Sequence, residues 1–106
     1  MSWNIKILPG RNRYGYIKGE IDHFHWYALV HKDCVSFGID PRSLEGGYGR
    51  ISRLCIYKDI PMSSYTKRLI YANYKRKWDV FNSSYEDMIK YLVEYLERIY
   101  SIKLVK

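Results

Sequence analysis

Between Tyr85 and Ser101 the apolar residues Tyr85, Met88, Ile89, Leu92, Val93, Leu96, Ile99 and Tyr100 recur at three- and four-residue steps. That spacing puts them on one stripe of a helix. A helix with a single apolar stripe has to bury it, so the rest of the chain must supply an apolar face. Asn82-Ser83-Ser84 stands just before the stripe, and Ser83 with Glu86 has the spacing of a capping box. Glu86–Lys90 and Glu94–Arg98 add pairs four residues apart in the favourable order. The stripe predicts a helix over 85–101 lying across a sheet. Its alternative use is a homodimer contact with a second copy. Ile102 to Lys106 reads as a short edge strand or a frayed end.

The preceding residues supply the sheet. Phe24, Trp26, Ala28 and Val30 alternate with His25, Tyr27, Leu29 and His31, which predicts a central strand with one apolar face. Trp3–Leu8 and Tyr14–Ile21 read as strands before it, separated by Pro9-Gly10. Asp22-His23 and Lys32-Asp33 read as turns, and Cys34–Ile39 as a short fourth strand. Asp40–Gly49, with Pro, Ser and three glycines, reads as an irregular loop. Arg50–Tyr57 is a fifth strand, whose imperfect alternation predicts a bulge near Ser52-Arg53. Asp59–Ser64 is a second loop. Lys67–Val80 reads as a sixth strand with Ile70, Ala72, Tyr74, Trp78 and Val80 inward. The fold class expected is α+β, an antiparallel sheet of about six strands with one C-terminal helix packed on a face. The 106 residues form a single domain, mostly β and basic over 1–81, with the helix and tail over 82–106.

Charge is distributed unevenly. The net charge is +7. Residues 1–81 carry 14 Lys/Arg against 7 Asp/Glu, whereas 82–106 carry 4 of each. An excess confined to the β part points to an anionic partner there. Its densest stretch is KRLIYANYKRKWDV, Lys67–Val80, where cations are interleaved with Tyr71, Tyr74 and Trp78. Cations meet phosphates and aromatic rings meet bases, so the candidate contacts are Lys67, Arg68, Tyr71, Lys75 and Lys77, joined by Arg42, Arg50 and Arg53. No RNA-recognition or helix-turn-helix signature accompanies them.

Other chemistries leave weaker traces. His23, His25 and His31 are candidate metal ligands or general bases, with no Cys/His pairing of the kind zinc sites show. Cys34 and Cys55 form no CxxC pair and are expected to be reduced and buried. Gly46-Gly47-Tyr48-Gly49-Arg50 precedes a strand, not a helix, so it is no phosphate-cradling loop. No activated nucleophile is evident, and no cofactor is implied. No apolar run approaches the roughly 18 residues of a membrane span. The opening residues lack a signal-peptide pattern, and the cytoplasm is the expected compartment.

Three short blocks stand out: Phe37-Gly38-Ile39, Gly49-Arg50-Ile51-Ser52-Arg53-Leu54 and Tyr74-Lys75-Arg76-Lys77-Trp78-Asp79. Together they resemble a family of small proteins from low-GC Gram-positive bacteria and their phages. Its members share a "G-x-leucine-or-isoleucine" strand, here Gly19-Glu20-Ile21, a "yGI…GGRISKL" block and a closing "Y-D-R-G-W-D" block. The resemblance covers roughly residues 16–80. The family is a domain of unknown function, so the resemblance implies no activity and no catalytic residues. It implies a setting, phages and mobile elements, whose small proteins are often binders that interfere with host defence. This chain departs from the pattern: the loop Asp40–Tyr48 is longer, and Lys75 and Lys77 stand where Asp and Gly are usual. The expected function is therefore a non-catalytic binder of nucleic acid or a nucleotide-type ligand. The alternatives are an anti-CRISPR-like inhibitor of a host defence protein, or a small enzyme or metal protein using His23, His25 and His31.

Overall fold

The computed structural model describes residues 3–105, with side chains through Ser101. Its elements are β1 (Ile5–Ile7), β2 (Ile17–Ile21), β3 (Phe24–Ile39), β4 (Gly46–Pro61), β5 (Thr66–Lys75), β6 (Trp78–Phe81), a 3-10 turn (Ser83–Tyr85) and α1 (Glu86–Val105). The strands form one antiparallel sheet in chain order, each paired with its sequence neighbours. The α+β class follows, with the helix on one face.

Cross-strand pairing shows how the alternation sorts side chains. Ile7, Gly19, Trp26, Ile56, Ala72 and Phe81 form one row across all six strands. Ile17, Ala28, Leu54, Tyr74 and Trp78 form the next. These rows meet Met88, Ile89, Leu92, Val93 and Leu96 of α1, all of them fully buried. The middle of the helical stripe is thus buried on the sheet, with Tyr85, Ile99 and Tyr100 half-buried at its ends. Gly19 is the low point of the sheet's apolar face: a Cβ there would lie 2.7 Å from the Trp26 ring.

Several boundaries differ from the expected ones, each for a local reason. Lys32-Asp33 does not turn the chain. Val30 pairs with Ile51 and Val35 with Gly49, so six residues of β3 span three of β4 and the polar pair sits in a wide bulge. The expected bulge near Ser52-Arg53 is present: Leu29 faces Arg53 and Val30 faces Ile51, leaving Ser52 extra. Gly46–Gly49 belong to β4 and not to a loop, because the ladder resumes at Ile39–Gly46. Lys67–Val80 is not one strand. Arg76, at φ 69°, and Lys77 turn the chain between β5 and β6. Ile70, expected inward, is 41 % exposed, because a bulge at Tyr71 between the Ile56–Ala72 and Tyr57–Ile70 pairs changes the facing.

At the helix start the cap is Asn82, whose Oδ1 accepts from Ser84 N at 3.0 Å, and not Ser83. Along the helix, Lys90 pairs with Glu94 at 3.4 Å. Residues 102–105 continue α1 and form no edge strand; Lys106, like Met1 and Ser2, lies outside the described residues.

The far halves of β3 and β4 curl over the apolar face. Tyr74 of β5, fully buried, donates to Phe37 O at 2.9 Å, and Trp78 Nε1 donates to Leu44 O at 2.7 Å. Close backbone approach makes the curl possible. A Cβ on Gly49 would lie 1.9 Å from Ile39 O, and one on Gly38 would lie 2.1 Å from Gly49 O. Phe37-Gly38-Ile39, the Gly49 end of β4 and Tyr74–Trp78 therefore converge on one corner.

Candidate nucleic-acid interface

The face of the sheet opposite α1 has its own rows. Lys6, Glu20, His25, Tyr57 and Ile70 form one. Lys18, Tyr27, Cys55, Asn73 and Val80 form the second, and Leu29, Arg53 and Lys75 a third. Tyr16, just before β2, lies edge-on to Tyr27 with ring centroids 5.9 Å apart. Tyr27 lies 6.1 Å from Tyr57, and His25 stacks on Tyr57 at 5.6 Å. A band of four rings thus runs from the start of β2 across β3 and β4 on the face opposite α1.

Cations frame the band. Arg68 lies 3.9 Å from the Tyr57 ring centroid while gripping Asp59 with two hydrogen bonds of 2.7 and 3.0 Å. That grip lowers the Asp59 carboxyl and raises the Arg68 guanidinium. Lys75 reaches Asp79 at 3.5 Å. Among the described residues, Lys6, Lys18 and Arg53 form no close ion pair, although Glu20 stands opposite Lys6 on this face. The Tyr27 phenol is pushed up to about 12, first by burial and then by its hydrogen bond to Cys55. Like any tyrosine at neutral pH it is protonated and uncharged, able to stack beside an anion without repelling it.

The structure scatters the residues singled out from sequence. Arg53, Arg68 and Lys75 fall on the open face. Lys67 is exposed farther along β5, opposite Ile60. Lys77 is exposed in the β5–β6 turn, and Arg42 is exposed in the β3–β4 loop beside Asp40 at 3.7 Å. Two residues are engaged elsewhere. Tyr71 packs edge-on against Phe24 and Tyr85, at 5.0 and 4.9 Å, on the helix side. Arg50 is turned inward to Glu97 of α1 at 3.6 Å, and Glu97 also accepts from Arg50 N at 3.0 Å. The Arg50 Nε has no hydrogen bond, so its contact with Glu97 is an ion pair without directed bonding.

The histidines do not converge. His23 is in the β2–β3 turn, His25 is in the ring band, and His31 Nε2 lies 2.6 Å from the hydroxyl of the bulged Ser52. Among the described residues no three His, Cys, Asp or Glu gather as a metal site. Burial pushes up the Cys55 thiol and, with Glu97 nearby, the Cys34 thiol, leaving both poor nucleophiles at neutral pH. Among the described residues, no helix is long and apolar enough to cross a membrane.

The ring band escaped a reading by stretches because it is assembled across strands. Alternation alone puts Tyr16 with Lys18, and His25 with Tyr27, on one face of their own strands. Only the register brings Tyr57 beside them. No protein-family model, curated protein or solved structure matches this chain.

Proposed function

We propose that the protein is a non-catalytic binder of single-stranded nucleic acid, which it takes on the open face of its sheet. The observation that carries this reading is the ring band of Tyr16, Tyr27, Tyr57 and His25, set among Lys6, Lys18, Arg53 and Lys75. Unpaired bases stack on such rings at roughly 1–3 kcal/mol each, with little regard to sequence, and lysine and arginine take the phosphates between them. A duplex hides its base faces and is read in its grooves by a helix or ribbon, for which this flat face has no counterpart. The +7 charge, confined to the β part, favours the same partner.

The test is fluorescence anisotropy with a labelled single-stranded oligonucleotide over a salt series. With about three to five phosphate contacts, log affinity should fall against log salt with a slope of roughly −2 to −3.5. Tyr27→Ala should weaken binding about 5- to 150-fold through lost stacking. Absence of salt-sensitive binding would sink the proposal.

A second reading has its own support. Ile60, Met62 and Tyr65 are exposed around the β4–β5 hairpin tip, an apolar surface suited to a protein partner. It fits a phage-borne inhibitor docking on a host protein. Substituting all three by Ser should abolish capture of that host protein while leaving oligonucleotide binding intact.

A further inference from the structure

Beside the ring band, between the β1–β2 loop and the sheet, lies an open cleft of about 630 Å³. That is within the roughly 300–1,000 Å³ range of small-ligand sites. Its lining includes Arg11, Asn12, Tyr14, Tyr16, Lys18 and Tyr27, and no acidic residue contributes to it.

The loop is shaped by its own bonds. Gly10 and Gly15 take φ of 85° and 88°, which L side chains rarely adopt. The Asn12 side-chain oxygen accepts from both Tyr14 N and Tyr16 N, at 2.9 and 3.0 Å. The Arg11 Nη1 donates to Gly15 O at 2.9 Å. Arg13 reaches the Tyr14 hydroxyl at 2.7 Å and lies 4.9 Å from its ring centroid, bracing a ring that is itself 66 % exposed.

These bonds decide what remains for a ligand. Asn12 has spent its acceptor and keeps only its NH2 donors. Arg11 retains donors beyond the one it uses, and Lys18 has three with no carboxylate partner among the described residues. The walls are three phenol rings. A ligand that satisfies this set is rich in acceptors and anionic at one end, flat and aromatic at the other.

We infer that the cleft holds one nucleotide, its base among Tyr14, Tyr16 and Tyr27 and its phosphate on Arg11 and Lys18. The inference deepens the open-face reading and rests on it, since Tyr16, Lys18 and Tyr27 serve both. The nucleotide is either the phosphorylated end of a bound strand or a free mononucleotide.

Titration calorimetry with AMP, adenosine and inorganic phosphate tests the cleft. Anisotropy with oligonucleotides bearing or lacking a terminal phosphate distinguishes the two sources. Arg11→Gln and Tyr14→Ala lie outside the strand rows and should leave the far-UV circular dichroism unchanged. Each should weaken AMP, or the preference for a phosphorylated end, about tenfold. Arg53→Gln, outside the cleft lining although it shares a smaller pocket with Tyr16 and Tyr27, should weaken the oligonucleotide more than AMP. AMP binding without a terminal-phosphate preference identifies the free nucleotide, and the reverse identifies the strand end. If the oligonucleotide binds with salt dependence while AMP does not bind and neither cleft variant alters end preference, the cleft inference is overturned and the open face stands. If AMP binds through Arg11 and no oligonucleotide does, the open-face reading falls and the cleft stands.

Discussion

Tyr27 shows how a single side chain of the open face ties stability to pH. Its ring is 36 % exposed, yet its phenol is pushed up to about 12 from 10.0, chiefly by burial. In the folded state the proton is held more tightly than in the unfolded chain. Below about pH 10 both states keep it, so this contribution to stability is fully present. As pH rises from there to about 12, the unfolded chain ionises first and stability falls. Urea unfolding across that window should show a steeper loss for the native protein than for Tyr27→Phe. Identical slopes would remove the role given to the Tyr27 phenol. The same residue was visible in sequence only as one member of an alternating strand. Its neighbours Tyr16 and Tyr57 lie far from it in the chain and needed strand pairing to be found.

At the scale of elements, α1 is held by more than its apolar stripe. Glu97 is mostly buried, pairs with Arg50 of β4 and accepts that residue's backbone N–H. Glu97→Ala would leave a mostly buried guanidinium without its counter-charge, at a cost of about 2–3 kcal/mol. For a domain this size that lowers Tm by roughly 10 °C or more. Glu97→Gln, which can still accept from Arg50 N, should lose less. Thermal unfolding of the two variants checks the order, and equal melting temperatures for both and the native protein would refute it. The helix and the central strand were readable from periodicity because each buries one face along its whole length. The division of Lys67–Val80 was not. Its turn is made by Arg76 in a left-handed conformation, where Gly or Asn is usual, so no local signal marked it. Lys32-Asp33 misled in the opposite sense, since a wide bulge and a turn favour the same polar residues. Arg50 looked like a surface cation because its partner lies 47 positions away.

Taken whole, the molecule is a meander closed at one corner. Gly38, Gly49, Tyr74 and Trp78 let the ends of β3 and β4 reach β5 and β6. The corner allows no added volume at Gly49, so Gly49→Ala should cost about 3 kcal/mol or more. Gly47 is the control: a Cβ there meets only Asp40 Cβ at 4.0 Å, and Gly47→Ala should be near neutral. Chemical denaturation of the pair measures the contrast, and matched midpoints would show that the corner yields.

The order of elements also carries a consequence for biosynthesis. Every strand pairs with the one made just before or after it, so on the ribosome each hairpin can zip as it emerges, in about 1–10 μs. The helix that covers the apolar rows comes after all of them. At about 5–20 residues per second its 20 residues take about 1–4 s to synthesise. Until the helix docks, whatever part of the sheet has paired shows Trp26, Leu54 and Ile56 to water, a long wait by the standards of hairpin closure. The moment of greatest exposure falls between the pairing of the last strand and the docking of the helical lid.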